Sequence, residues 1–346
     1  MACAVHKARL KRLFRKLAGV ADAVLVQGDE ALLRWLTGVR EGTAIATRKS
    51  VTMLAHPMFA EACGESGWPV VVPAKKQKAS DIIRDVLGRA KKVGLRFGPV
   101  GHAHFLSIKK DLRGRRLVDI STPVDEVQRS RDEAELKDQR KACLISARAA
   151  KAVPLMCEEG MTEIDLLGEI MFHMAGQGAE GHGMAAFGAH TSYPHVVTGA
   201  RRLKKGDFVM VDFGCNINGV GSDITRTFAF GPASARQKAV YDEVWKAMVL
   251  SFDLIEKKKD VRAINTAINE LFEKDGYGPF IHSVGHGLGI FGGGFHNVPG
   301  AVVTVEPGIY IPGFGGVRIE DDIVITKPGR YELLTGASPR SKLIEI

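Results

Sequence analysis

The chain has 346 residues, of which 45% are hydrophobic, and it carries a formal net charge of +9 at pH 7. This length leaves room for two domains with separate cores, and the composition is that of an ordered globular protein. No apolar run approaches the roughly 18 residues that a transmembrane helix needs, so we expect no membrane-spanning segment.

The N-terminal part alternates predicted helices and strands. Lys7 to Lys16 is basic without an acid, which would suit a transit peptide, but the stripe of Leu10, Leu13, Phe14 and Leu17 favours an ordinary first helix. Apolar runs predict strands around 23–27, 44–48, 51–55, 69–72, 93–96 and 117–120. We therefore expect a small α/β layer domain over residues 1–124.

The distribution of charge and the cysteine content limit which partners and which cellular compartment the sequence favours. The basic excess is confined to residues 1–130, where lysines and arginines fall in predicted loops and helix ends. A nucleic-acid site would cluster them on one face with aromatic residues, so we do not predict a nucleic-acid partner. The five cysteines are odd in number and lack metal-type spacing, which indicates reduced thiols in a cytoplasmic protein.

A second domain is predicted over residues 125–346, after a linker at Ser121-Thr122-Pro123. Ser130 and Glu133 match a capping box that opens a helix through about Ala152, and Thr162 begins another helix. Helices followed by acid-bearing hairpins indicate an α+β fold, with a curved antiparallel sheet covered by helices.

Two aspartates lie on a predicted hairpin. Asn218-Gly219, between two strand-like runs, is the strongest short-range signal for a two-residue turn. A hairpin closing there pairs Asp223 with Gly214, two residues along from Asp212. Both carboxylates then point to one face, whereas a one-residue slip would separate them.

Two glutamates repeat this arrangement. Glu306 and Glu320 are symmetric about Gly313, so a hairpin closing there sets them directly opposite each other. His286 lies between glycines that permit close backbone approach. Buried carboxylates in such numbers would repel one another without cations. The five side chains therefore predict two divalent ions about 3.5–4 Å apart, Mn²⁺ or Co²⁺ first, with Zn²⁺ or Fe²⁺ also suited.

The chain resembles the pita-bread metallopeptidases, in particular the proline-directed branch of Xaa-Pro dipeptidases (prolidases) and Xaa-Pro aminopeptidases. The resemblance spans nearly the whole chain and is carried by these runs: Arg34 to Gly38, Tyr193-Pro194-His195, Val211 to Gly214, Ser222 to Phe228, His282 to Gly289, Val305 to Tyr310 and Gly316 to Asp321. It implies a homodimeric two-domain enzyme with a C-terminal pita-bread domain, acting on proline-containing dipeptides or short peptides, most of all as a prolidase.

The resemblance also implies roles for the site residues. Asp212 would chelate one metal, Asp223 and Glu320 would bridge, and His286 and Glu306 would hold the other. Glu306 would also accept a proton during attack by an activated water.

Three further residues match the family pattern. His195 corresponds to a histidine that contacts the scissile region or stabilises the oxyanion, and His282 to one lining the substrate pocket. Arg318 corresponds to an arginine able to hold Asp223 or Glu320 from behind.

One segment departs from the family pattern. Proline-directed relatives carry a histidine about seven residues after the ligand histidine, and prolidases can carry an arginine that binds the dipeptide carboxylate. Gly293 falls where that histidine is expected, and residues 287–305 contain no arginine. His296 could fill the role through a rearranged loop. The length of the accepted peptide therefore stays open.

Two other functions are weighed against the peptidase. Creatinase-like hydrolysis without metal would not need all five ligands. A non-catalytic binding protein on the same fold would be expected to have lost some of them. Neither agrees with the complete ligand set.

Overall fold

The computed structural model describes residues 4–289 and 293–346. The chain forms two compact units, residues 1–128 and residues 129–346. No helix among the described residues combines the length and apolarity needed to cross a membrane.

The first unit is an α/β layer structure. Its helices are α1 (Ala4–Lys16), α2 (Glu30–Thr37), α3 (Ala60–Gly64), α4 (Ala79–Leu87), α5 (His102–Asp111) and α6 (Ser121–Gln128), with a 3-10 turn at Pro57–Phe59. Its strands are β1 (Ala23–Val26), β2 (Thr43–Ala46), β3 (Val51–Leu54), β4 (Val70–Val71), β5 (Lys92–Leu95) and β6 (Arg116–Asp119). The predicted strands are thus confirmed to within a residue or two.

These strands form a mixed sheet in the order β4-β3-β2-β1-β5-β6. Strand β1 pairs antiparallel with β2 and parallel with β5. The predicted stripe of α1 is buried at Leu10, Leu13 and Phe14. This unit therefore has its own apolar core on a sheet covered by helices.

The second unit carries long helices and short hairpins. Its helices are α7 (Glu133–Met156), α8 (Glu163–Ala175), α9 (Ala235–Glu256) and α10 (Val261–Lys274), with a 3-10 turn at Gly188–Ser192. Its strands are β7 (Glu180–Phe187), β8 (Phe208–Ile217), β9 (Val220–Gly221), β10 (Ile224–Ala229), β11 (Val302–Val305), β12 (Gly308–Ile311), β13 (Gly315–Arg318), β14 (Asp321–Lys327), β15 (Arg330–Leu333) and β16 (Ile344–Glu345).

Two local predictions were wrong. The expected linker at Ser121-Thr122-Pro123 is the first turn of α6, which buries Val124 and Val127. The cap of α7 is Asp132, which forms a capping box with Glu135. Ser130 lies two residues before this cap, where its hydroxyl donates to the carbonyl of Pro299 and the Arg131 N–H donates to the carbonyl of Gly300. The predicted start of α8 at Thr162 is confirmed.

The second unit contains two apolar cores. One lies between α7, α8 and the strands β7, β8 and β10. The other lies between α9, α10 and the strands β11 to β14. We call the first set of elements the Asp half and the second set the Glu half, after the carboxylates that each contributes below.

Candidate metal centre

The aspartate hairpin has the predicted register. Strand β8 pairs antiparallel with β10, with Asp212 opposite Thr225, and this register continues through Asn216 opposite Gly221 in β9. The turn between β8 and β9 has positive φ at both Asn218 (48°) and Gly219 (90°), as a two-residue hairpin turn requires. Asp212 and Asp223 consequently line the same cavity.

The glutamate hairpin also has the predicted register. Gly308 pairs with Arg318 in β12–β13, and Val305 pairs with Asp321 in β11–β14. The same register between these pairs sets Glu306 opposite Glu320, as expected from the symmetry about Gly313. Both glutamates line the cavity that receives the aspartates.

His286 reaches the cavity on a segment pressed against β11. Its backbone N–H donates to the hydroxyl of Thr304, 3.0 Å away, and its carbonyl accepts from the Thr304 N–H. A Cβ on Gly285 would lie 2.0 Å from the carbonyl oxygen of Thr304. Glycine is therefore required for this close approach, as predicted.

The cavity has a volume of about 250 Å³. It is lined by all but one of the site residues predicted from sequence, together with neighbours: Pro194, His195, Asp212, Asp223, His282, Ser283, Gly285, His286, Glu306, Arg318 and Glu320. His296 is not among the lining residues. Ile290, Phe291 and Gly292, within the segment that departs from the family pattern, lie outside the described residues.

The ligand atoms are close enough to share a cation. Asp223, His286 and Glu320 each offer one such atom, and these lie within 4.8 Å of one another. The Nε2 atom of His286 is 3.7 Å from Oδ2 of Asp223 and 3.6 Å from Oε1 of Glu306. Asp212 completes the set in the same cavity.

Burial and mutual repulsion perturb these carboxyl groups. Burial, followed by the charge of Asp212, raises the pKa of Asp223 well above its usual value. Burial, followed by the charge of Asp223, does the same for Glu320, and burial also raises the pKa of Glu306. Divalent cations bound among these carboxylates would offset their mutual repulsion and favour the ionised form. The oxygen-rich donor set with one imidazole fits such ions.

Arg318 lies beside the centre, but its partner differs from the predicted one. Its Nη2 donates to Oδ2 of Asp212, not to Asp223 or Glu320. Its remaining donors reach Thr225 Oγ1, the Pro194 carbonyl and Tyr310 Oη. The pairing differs because β13 faces β8 here, a long-range contact that the local hairpin pattern does not specify.

Tyr310 links Arg318 to His282. Arg318 donates to the Tyr310 hydroxyl at 2.7 Å, and that hydroxyl lies 2.9 Å from Nε2 of His282. The Nδ1 atom of His282 lies 2.8 Å from the Ser283 carbonyl. The carbonyl can only accept, so Nδ1 carries the proton and Nε2 accepts from Tyr310. Burial lowers the pKa of His282 to about 4, which agrees with a neutral ring.

Sequence reasoning missed three residues that support the ligands. Thr225 donates its hydroxyl to Oε2 of Glu320 at 2.7 Å, and Asp322 accepts the backbone N–H of Asp223 at 2.9 Å. Buried Arg226 donates to the carbonyl of Glu320 and pairs with Asp321. Thr225 and Asp322 lie two residues and Arg226 three residues from a ligand, inside or directly after the runs that carry the family resemblance, and this proximity was the available signal.

Comparison with known proteins agrees with this geometry. Residues 137–327 match the model of metallopeptidase family M24. The chain is 30% identical to the Xaa-Pro dipeptidase of Pyrococcus horikoshii over 90% of this chain and 92% of that one. It is 33% identical to the uncharacterized peptidase YqhT of Bacillus subtilis over 73% of this chain and 75% of that one.

A solved structure gives the same result for the fold. The Xaa-Pro dipeptidase from Bacillus anthracis superposes with a TM-score of 0.89 at 27% identity, covering 99% of this chain and 100% of that one. The predicted pita-bread fold and the predicted family are thereby confirmed. Together with the family match, these similarities show that the chain belongs to metallopeptidase family M24.

Proposed function

We propose that this protein is a dinuclear-metal peptidase that hydrolyses the Xaa-Pro peptide bond, with Xaa-Pro dipeptides as its principal substrates. The observation that carries the proposal is the convergence of all five candidate ligands on one cavity, with three carboxyl pKa values raised there. Membership of a peptidase family and similarity to proteins named Xaa-Pro dipeptidase support the substrate class.

The ligands would divide between two ions. Asp212 would hold one, His286 and Glu306 the other, and Asp223 and Glu320 would reach both. Two bound cations, Mn²⁺ or Co²⁺ first, would polarise the scissile carbonyl and lower the pKa of water at the site. The oxygen-rich donor set also suits Fe²⁺ and Zn²⁺, so the identity of the ions is part of the proposal.

Glu306 would move the proton. Its Oε1 accepts from the Thr304 hydroxyl at 3.2 Å, which orients the carboxylate beside His286 in the cavity. Burial raises its pKa toward the operating pH, as a general base requires. Glu306 would accept a proton from the attacking water and return it to the departing proline nitrogen.

The two pocket histidines would act differently. Both ring nitrogens of His282 are engaged within the protein, so His282 would form a wall of the pocket rather than donate to the substrate. Exposed His195 is the imidazole available to donate to the oxyanion. Arg318 would hold Asp212 in place. His296, outside the lining residues, would contribute only after a rearrangement of its segment.

The size of the cavity supports a small substrate. About 250 Å³ is below the range of roughly 300–1,000 Å³ typical of drug-sized ligand pockets, and it suits a dipeptide. One observation favours a second candidate, an Xaa-Pro aminopeptidase acting on longer peptides. The donors of Arg318, the arginine among the described lining residues, are engaged with protein oxygens, which leaves that guanidinium unavailable to a dipeptide carboxylate.

The test uses metal-stripped protein restored with Mn²⁺ or Co²⁺. It is incubated with Ala-Pro, with Ala-Pro-Ala and with the matched non-proline peptides Ala-Ala and Ala-Ala-Ala. Metal-dependent cleavage of Ala-Pro supports the dipeptidase, and cleavage of Ala-Pro-Ala alone supports the aminopeptidase. Cleavage of neither proline peptide, with two ions bound, would overturn the proposal.

A homodimer and a cytoplasmic location belong to the same proposal. The homodimer is an expectation from the family resemblance, and sedimentation velocity would test it. The described cysteines Cys63, Cys143, Cys157 and Cys215 are free thiols, which supports a reducing compartment.

A further inference from the structure

Glu163 is a buried carboxylate outside the metal centre. It is the first residue of α8, directly after the cap Thr162, and its side chain is fully buried. It accepts three hydrogen bonds, from the backbone N–H groups of Phe187 and Gly199 and from Nδ1 of His190, at 2.9 to 3.0 Å. A buried acid with this many partners has a defined structural task.

The two oxygens of Glu163 bind the two ends of one segment. Oε1 accepts from Phe187, where β7 ends, and Oε2 accepts from Gly199, twelve residues later in the chain. The backbone N–H of Ile164 also donates to the carbonyl of Gly199. The N-terminus of α8 therefore holds the two ends of segment 187–199 close together. A carboxylate suits this position because helix N-termini favour negative charge.

This segment carries Pro194 and His195 to the cavity. Within residues 4–289 and 293–346, no hydrogen bond restrains the exposed side chain of His195, so its position depends on the backbone of the segment. Other contacts also hold the segment, including the hydroxyl of Thr198, which accepts from the N–H of Ala185 and donates to its carbonyl. Arg318 donates to the carbonyl of Pro194, and the N–H of Gly316 donates to Oγ1 of Thr191. Glu163 fixes the two ends of the segment, Phe187 and Gly199.

We propose that Glu163 is a positioning residue that holds His195 at the reacting carbonyl by closing segment 187–199. This inference rests on the proposed function of His195 as the oxyanion donor. The geometry requires two acceptor oxygens, since each end of the segment presents an N–H. In a glutamine variant the amide NH2 would face one of these N–H groups, which would release one end.

The alternative is that Glu163 only stabilises α8. Three variants separate the two roles. Glu163→Gln releases one end of the segment. Thr162→Ala removes the helix cap and leaves the segment bound. His190→Ala removes the side-chain donor and leaves both backbone donors in place.

The experiment measures kcat and KM on Xaa-Pro substrates, metal content and the midpoint of thermal unfolding. Glu163→Gln should lower kcat about 10- to 100-fold with KM and metal content unchanged, since small displacements of a catalytic group have effects of this size. Thr162→Ala should lower the unfolding midpoint by about 2–4 °C with kcat unchanged. His190→Ala should leave kcat within about twofold. If Glu163→Gln does not fold, Glu163→Asp replaces it, because the shorter carboxylate cannot bind both ends.

A double variant tests whether Glu163 affects activity through His195. If Glu163 acts through His195, Glu163→Gln should cause no further loss of activity in a His195→Ala background. Full additivity, or an equal loss of kcat in Thr162→Ala, would overturn the proposal.

Hydrogen exchange gives a readout that is independent of activity. In metal-free protein, residues 188–198 should exchange faster in Glu163→Gln than in Thr162→Ala. Unchanged exchange would overturn the inference. If wild-type protein cleaves no Xaa-Pro peptide, the proposed function fails, and the exchange measurement still decides whether Glu163 closes the segment.

Discussion

The Asp half and the Glu half present their carboxylates in the same way but secure them differently. Each half uses a hairpin whose turn sets two acids on one face. Asp212 is bound by Arg318 from the Glu half, and Glu320 is bound by Thr225 from the Asp half. Glu306, in contrast, is bound by Thr304 of its own half.

This difference means that three of the ligands, Asp212, Asp223 and Glu320, depend on the contact between the halves. The Glu320 N–H also donates to the carbonyl of Thr225, and the Asp223 N–H donates to Asp322. A substitution in one half should therefore disturb a ligand in the other half. Glu306 should be insensitive to changes in the Asp half. The predictions below test this asymmetry.

The largest effect is expected where a ligand common to both ions is removed. Asp223→Ala and Glu320→Ala should each lower activity by more than about 100-fold. Loss of a residue that only hydrogen-bonds to a metal ligand already lowers metal affinity or activity about 10- to 100-fold. Both should also lose bound metal in equilibrium dialysis. Glu270→Ala, at an exposed acid on α10, is the matched control and should retain both activity and bound metal. Retention of two ions at wild-type affinity by either ligand variant would contradict the assignment.

Arg318 should give the next largest effect. Arg318→Lys keeps a positive charge but cannot reproduce contacts to Asp212, Thr225, Pro194 and Tyr310 from one ammonium group. Metal affinity should fall about 10- to 100-fold, measured by competition with a chelator. Unchanged affinity in the lysine variant would show that the contact between the halves does not hold Asp212.

Much of this centre follows from local sequence. Asn218-Gly219 and Gly313 fix the hairpin turns, and a strand period of two then determines which acids share a face. The pairing of Arg318 with Asp212 does not follow, because it depends on how separate hairpins pack. The same holds for the role of Tyr310, which becomes visible only when β13 and the segment of His282 are placed together.

The first cap of the second unit shows a different limit. Ser130 with Glu133 and Asp132 with Glu135 both match the local requirements of a capping box. The helix begins after Asp132, and Ser130 and Arg131 are paired instead with the distant carbonyls of Pro299 and Gly300. Where two local solutions compete, tertiary contacts decide between them.

Thr225→Val and Thr304→Val compare support across the halves with support within one half. Thr225 donates to Glu320 and accepts from Arg318, whereas Thr304 donates to Glu306 and accepts from the His286 N–H. Loss of Thr225 removes two contacts from the Asp half to the Glu half, so activity should fall about tenfold or more. Thr304→Val should lower activity less and leave the affinity for the ion held by Asp212 unchanged. Equal losses of both ions would contradict the asymmetry.

The metal-free protein should show an inverse dependence of stability on pH. The pKa values of Asp223, Glu306 and Glu320 are raised on folding, so the folded state keeps protons that the unfolded state releases. This stabilisation is complete below the ordinary carboxyl pKa and is lost as pH rises through the raised values. With excess chelator, the unfolding midpoint should fall as pH rises above about 5, and Mn²⁺ should reduce the slope.

The neutral variant Glu320→Gln provides the control for this pH dependence. It removes one of the repelling charges, so the decline of the metal-free protein should become shallower. A slope identical to wild type would show that the crowded carboxylates do not set the pH dependence.

The smallest effect is expected at the turn of the Glu half. Gly313 has φ of 77°, and an added Cβ would meet no atom within 4 Å, so Gly313→Ala introduces backbone strain without a clash. The cost should be about 1 kcal/mol, or about 2–4 °C in the unfolding midpoint, with metal affinity unchanged. The ligands should be unaffected because the register of β12 and β13 is also fixed by burial of Ile309 and Val317 against the Glu-half core. A loss of metal in Gly313→Ala would instead show that the turn alone determines the opposition of Glu306 and Glu320.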